Sequence, residues 1–232
     1  WWGAWGKEFL PFCAKEKLPL DFYSWHCYSA DATAPAAQAR QARRLLDDNG
    51  FTKTESHLNE WNYVRGWSDE WVYSLECESG RFNQKGAAFT AVAMITCQEA
   101  PLDLLMFYDA RVNTNMNNLF DTLTLQPRKG YYPFFAWRRL LELGTQVTAT
   151  VTAPDVKKPQ LFACAAKNDA GRGALFLARY SDNNNVVETR RVKLSLPKGV
   201  DPAAARCHLT DAVRTYTETP LIVQADGTAV LK

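Results

Sequence analysis

Between Ser56 and Val64 the chain reads Ser-His-Leu-Asn-Glu-Trp-Asn-Tyr-Val, a strand-like run that sets one carboxylate, Glu60, among two amides and a tryptophan. A carboxylate taken out of water needs partners or a shifted pKa, so this arrangement calls for a chemical reason. Asn59 and Asn62 can hydrogen-bond either the carboxylate or a hydroxyl-bearing ligand. One strand earlier, Ser-Trp-His-Cys-Tyr-Ser (24–29) supplies His26 and Tyr28. A tyrosine or histidine held against a carboxylate orients it and keeps it ionised, as a nucleophile requires. The structural alternative is plain: a glutamate at a strand end can cap a helix or pair with an arginine, and a single histidine can simply be hydrogen-bonded.

The elements that must carry these groups follow from periodicity. Trp5 to Lys17 has near-helical apolar spacing and should end before Pro19, and Leu18 to Ser29 reads as a strand. Residues 35–49 form a strong helix, with Pro35 at its start and Gly50 just past its end. Phe51 to Trp61 is the next strand, Asp69 to Ser79 and Gln84 to Glu99 are helical, and Pro-Leu-Asp-Leu-Leu-Met-Phe-Tyr-Asp-Ala-Arg (101–111) is a third apolar strand. Tyr131 to Gly144 closes the series as a helix. Strands separated by helices imply a parallel sheet with helical crossovers. Alternation puts Phe22, Ser24, His26 and Tyr28 on one face of the first strand, and Ser56, Leu58 and Glu60 on one face of the second. Functional side chains gather at the carboxyl ends of parallel strands, so His26, Tyr28 and Glu60 should converge there, joined by Tyr108, Asp109 and Arg111 from the third.

After about residue 147 the pattern changes to short alternating segments: 147–153, 160–167, 173–181, 187–196, 205–212, 216–224 and 227–232. Turn formers such as Asn-Asp-Ala-Gly-Arg-Gly and Ser-Asp-Asn-Asn-Asn separate them, as in a small antiparallel sandwich. The expected organisation is thus an α/β domain over 1–147 and an all-β domain over 148–232.

Composition narrows the function classes. In 232 residues, 27 Lys+Arg against 25 Asp+Glu leave a net charge of +2, so nothing advertises a nucleic acid or an anionic membrane. No run approaches the roughly 18 apolar residues of a membrane span, and no signal-peptide pattern is visible. The opening Trp-Trp-Gly-Ala-Trp, without Met, fits a mature, trimmed or incomplete polypeptide. Eight Trp, nine Tyr and twelve Phe are a rich aromatic supply whose flat faces suit sugar rings, although core packing accounts for most aromatics. The six cysteines have no metal-type spacing, which argues against zinc. They fit buried thiols at least as well as disulfides.

On these residues the chain resembles the last third of the barrel of a clan A glycoside hydrolase, most closely glycoside hydrolase family 39, which includes β-xylosidases. The resemblance runs over residues 5–147: Leu-Pro-Leu-Asp-Phe-Tyr-Ser-Trp-His-Cys-Tyr-Ser (18–29) is similar to the sixth strand, the run ending at Glu60 to the seventh, and Tyr131 to Gly144 to the final helix. It implies the last strands and helices of a TIM (β/α)8 barrel followed by a β-sandwich, matched in type only. It implies a retaining O-glycosyl hydrolase acting on a poly- or oligosaccharide without cofactor or metal; it favours a secreted or periplasmic location, while the cysteines leave the compartment open. By the same resemblance Glu60 is the nucleophile, His26 and Tyr28 position it and contact the sugar, and Trp61, Asn62, Tyr108 and Asp109 line the pocket.

A retaining enzyme needs a second carboxylate, which the family carries at the end of strand four, and that strand has no counterpart in this sequence. Glu99 precedes the third strand and belongs at the opposite, amino-terminal face. A complete barrel takes roughly 250 residues. The expectation is therefore that an N-terminal barrel segment or a second chain supplies the acid/base, the alternative being a non-catalytic carbohydrate-binding or structural remnant.

Overall fold

The structure is a computed structural model that describes residues 2–67, 70–152, 161–186, 191–195, 201, 204–224 and 228–231. It is a mixed α/β protein with five α-helices among the described residues. The chain begins with α1 (Trp2–Lys15), β1 (Phe22–Ser29), α2 (Ala34–Asp48), β2 (Glu55–Tyr63), α3 (Trp71–Phe82), α4 (Gln84–Gln98), β3 (Leu104–Leu105) and α5 (Tyr131–Leu143). Short strands follow: β4 (Thr145–Val147), β5 (Leu161–Lys167), β6 (Gly173–Arg179), β7 (Val192–Leu194), β8 (Cys207–Leu209), β9 (Thr217–Thr219), β10 (Ile222–Val223) and β11 (Ala229–Leu231).

β1, β2 and β3 form a sheet in that order, with both pairings parallel. Helices fill the crossovers, as parallel pairing requires. α2 starts with proline in its first turn and buries Ala36, Ala39, Ala42 and Leu46, one stripe at helical spacing. It stops where Gly50 adopts φ +84°, a conformation open to glycine. There the Gly50 amide donates to Asp47 and the Phe51 amide to Leu46, satisfying carbonyls that the helix end leaves unpaired. α4 is apolar all round because it packs on both sides: α2, α3 and β2 touch it, as do α5, β5 and β6. Asn83 caps it, its side chain accepting from the Lys85 amide at 2.8 Å.

The third strand is far shorter than the apolar run 101–111 suggests. Only Leu104 and Leu105 pair regularly with His57 and Leu58, although the amides of Met106 and Tyr108 still reach the carbonyls of Leu58 and Trp61. Those two bonds span three residues of β2 for two of the segment after β3, so an extra residue in β2 ends the regular ladder.

The chain divides into two compact units, Trp1–Asp182 and Asn183–Lys232. The expected change of pattern at 147 coincides with the end of β4, but the antiparallel sheet β4-β5-β6 packs on α4 and α5 and so stays in the first unit. Tyr63 Oη donates to Asp182 Oδ1 at 2.6 Å and Lys85 Nζ donates to the Asp182 carbonyl at 2.7 Å, clasping the ends of β2 and β6 together. The second unit contains the antiparallel sheet β10-β11-β7 and the pair β8-β9. Residues 153, 160, 187–190, 196, 227 and 232 of the expected strand segments, and Asp69 of the expected third helix, lie outside the described residues.

All six cysteines are free thiols, five of them buried. Burial pushes the Cys27 and Cys97 thiols up to about 12, so both stay protonated and unreactive at neutral pH. Among the described residues no helix is long and apolar enough to cross a membrane, and no His, Cys, Asp or Glu cluster could hold a metal ion.

Candidate active site

The strands' carboxyl ends bring His26, Tyr28 and Glu60 together. Tyr28 Oη donates to Glu60 Oε2 at 2.8 Å, and His26 Nδ1 stands 3.2 Å from the same oxygen. Glu60 Oε1 makes no hydrogen bond among the described residues. One carboxylate oxygen thus has two neighbours, and the other stands unbonded among the described residues.

What makes this contact possible is a slip in register. β1 and β2 pair as Tyr23 with Ser56, Ser24 with His57 and Trp25 with Leu58, then His26 with Glu60, Cys27 with Trp61 and Tyr28 with Asn62. Asn59 is the extra residue of a β-bulge, and a bulge reverses which face the following side chains take. Strict alternation would send Glu60 to the side of Ser56 and Leu58, the helix-covered face, away from His26. The expected grouping of Ser56, Leu58 and Glu60 is therefore corrected: Ser56 and Leu58 face the helices with Tyr23 and Trp25, and Trp25 Nε1 donates to Ser56 Oγ at 3.0 Å. Beyond Asn59 it is Trp61 and Tyr63 that join the core, while Glu60 shares the open face with His26.

Two expected pocket residues are consequently not at a surface. Trp61 is 0% exposed and stands edge-on to Phe107, ring centroids 5.1 Å apart; the bulge turns it into the core. Asn62 faces the site side but is also fully buried. Its Nδ2 donates to the carbonyls of Tyr108 and Met116 at 2.7 and 2.8 Å, and its Oδ1 accepts from the Tyr63 amide. Asn62 therefore straps the loop after β3 over the strand end, with both its donors and its acceptor engaged. Asn59 Oδ1, at the bulge itself, is a buried acceptor with no donor among the described residues.

Tyr108 and Asp109 lie in the loop after β3 rather than at its end, and Asp109 is committed elsewhere. Its Oδ2 accepts from Arg111 Nε and Nη2 at 2.9 and 2.6 Å, and its Oδ1 accepts from Thr114 Oγ1 at 2.8 Å. Tyr108 Oη accepts from Arg111 Nη2 at 2.8 Å. The three residues form a charged brace at the rim. Glu99 accepts a hydrogen bond from Gln146 and, among the described residues, bonds to no member of the Glu60 cluster.

A residue that strand periodicity did not single out, Trp67, stands beside the cluster. Its ring meets Tyr28 edge-on with centroids 5.4 Å apart. The signal for it was a lone tryptophan after Gly66 in the otherwise polar stretch Arg-Gly-Trp-Ser-Asp-Glu.

Burial, then the hydrogen bond to Glu60 and its charge, drives the Tyr28 phenol well above the usual tyrosine range. Tyr63 is raised by burial and by its bond to Asp182, and Tyr180 by burial and the charge of Asp182. Each phenol keeps its proton in the fold after the unfolded chain has begun to lose it near pH 10. Their contribution to stability is complete below that point and is lost as pH rises above it, by about 1.4 kcal/mol per pH unit per phenol. Thermal unfolding midpoints followed from about pH 9 to about pH 11 should fall steeply, and Tyr63→Phe should flatten the slope. A midpoint unchanged over that range would contradict the assignment.

No protein-family model matches the sequence, and no curated protein matches it. Solved structures do. The fold is similar to that of a glucosidase from Croceicoccus marinus, with TM-score 0.57 and 22% identity, over 75% of this chain and 36% of that one. It is also similar to an arabinofuranosidase, with TM-score 0.50 and 16% identity, over 82% of this chain and 43% of that one. The fold is thus glycosidase-like, and the chain spans less than half the length of either enzyme.

Proposed function

We propose that this chain is the carboxyl-terminal part of a retaining glycoside hydrolase, related to family 39, that cleaves O-glycosidic bonds in a poly- or oligosaccharide, with Glu60 as its nucleophile. The observation that carries this reading is the Glu60 carboxylate held through one oxygen by Tyr28 and His26, with the other oxygen free on the open face. In the reaction Glu60 Oε1 bonds to the anomeric carbon as the bond to the leaving oxygen breaks, and an acid residue protonates that oxygen. Water, deprotonated by the same residue, then displaces Glu60 and releases the sugar. Tyr28, protonated throughout, and His26 hold the carboxylate while its charge is spent and restored. Tyr108 and Asp109 form the rim, with Asp109 acting through Arg111.

The second carboxylate is assigned to an N-terminal barrel segment or a second chain. Support comes from the sheet: its open face carries Phe22, Leu104 and Met106, all exposed, and apolar strands in such a state call for a cover. On this reading residues 1–147 are the last units of a (β/α)8 barrel and 148–232 an accessory β-sandwich. One observation favours the alternative of a non-catalytic carbohydrate-binding remnant: Asp109 is locked to Arg111, so the loop after β3 offers Glu60 no second unengaged carboxylate.

The test is covalent capture. The full-length protein incubated with 2-deoxy-2-fluoro glycosyl fluorides of xylose and glucose should gain the mass of one sugar on the peptide carrying Glu60. Labelling elsewhere would overturn the assignment, and no labelling together with no aryl glycoside turnover would leave the remnant reading.

A further inference from the structure

We infer that Trp67 is the stacking platform for a pyranose ring bound beside Glu60. This rests on the carbohydrate reading above and adds to it the residue that holds the ring. Trp67 is 75% exposed, so a flat apolar ring face stands open beside the site. It is also anchored. Its ring meets Tyr28 at 5.4 Å and 77°, and Tyr28 is the residue that donates to Glu60. A single side chain therefore separates the exposed aromatic face from the reactive carboxylate.

The chain leading to it passes close to α3. A Cβ on Gly66 would come within 2.7 Å of Tyr73 Oη, so glycine lets the chain pass close against α3 immediately before Trp67. A pyranose presents C–H groups on one face and hydroxyls around its edge. Its apolar face suits the indole, while its edge and anomeric carbon can meet the polar groups at the strand ends. Trp71 is a built-in control: it is equally bare, at 72%, but among the described residues its ring meets neither Tyr28 nor any other residue of the site.

The experiment uses full-length protein labelled with 5-fluorotryptophan and observed by fluorine NMR, with Trp67→Phe and Trp71→Phe assigning the two resonances. Xylobiose and cellobiose are the probes, and turnover of p-nitrophenyl β-xyloside and β-glucoside is measured in parallel. The expected result is that one of the disaccharides moves the Trp67 resonance and leaves that of Trp71 in place. Trp67→Ala should then raise KM about tenfold with little change in kcat, and Trp67→Phe should recover most of that loss. Turnover with an unmoved Trp67 resonance and an unchanged KM in Trp67→Ala would overturn the platform and leave the hydrolase reading intact. A moved Trp67 resonance without turnover would uphold the platform and overturn the hydrolase reading. Silence in both would overturn both.

Discussion

Glu60→Gln is expected to lower glycoside turnover by about 10⁴-fold or more while leaving the fold unchanged. The amide has the size of the carboxylate, and its oxygen can still accept from Tyr28 Oη, so the bond at 2.8 Å survives. What disappears is the negative oxygen that attacks. Steady-state kinetics on an aryl glycoside, beside a thermal melt, reads both effects: kcat should collapse and the midpoint stay within about 2 °C. The substitution has a second signature at Tyr28. Without the carboxylate's charge the phenol loses one cause of its elevation and keeps burial, so its titration should move back toward the ordinary tyrosine value. Turnover preserved in Glu60→Gln would remove Glu60 as the nucleophile whatever the fold resembles.

The largest loss of stability is expected at the neighbouring residue. Trp61→Ala should destabilise the protein by about 3–5 kcal/mol, because the indole is completely enclosed and stands against Phe107 and Phe89 at the centre of the core cluster. Its Nε1 has no hydrogen-bond partner among the described residues, so Trp61→Phe removes a buried orphan donor along with some volume and should be milder. Urea unfolding separates the cases, and Trp67→Ala, six residues on and largely exposed, should stay within about 0.5 kcal/mol of the parent. An equal loss at both tryptophans would mean that the division between core and site is drawn wrongly.

Much of this was legible in the residues. Alternation in β1 put His26 and Tyr28 on one face and Trp25 with Cys27 on the other, as found, because that strand carries no extra residue of its own. α2 announced itself through Pro35 and Gly50, residues whose backbone preferences act locally. Glu60 stood out because a carboxylate amid amides and aromatics is costly without a purpose. The roles of Trp61 and Asn62 were not legible, since both depend on the bulge at Asn59, and a bulge is fixed by pairing with a distant strand. The shortness of β3 has the same origin. Asp109's capture by Arg111 and Thr114 is a loop geometry that no periodicity encodes, and Trp67 lies in a stretch with no period at all.

The bulge also divides β2 into two halves whose core-facing positions fall in opposite phase. Before Asn59 the even-numbered positions, Ser56 and Leu58, are closed to change by packing. After it the odd-numbered positions, Trp61 and Tyr63, are closed in the same way, and even-numbered Glu60 belongs to the site. Counting by twos from either end of the strand assigns the wrong face at the other. Related chains should therefore be compared in this strand with the phase reset at Asn59, because one missing residue there would exchange the side chains of the open face for the filling of the core.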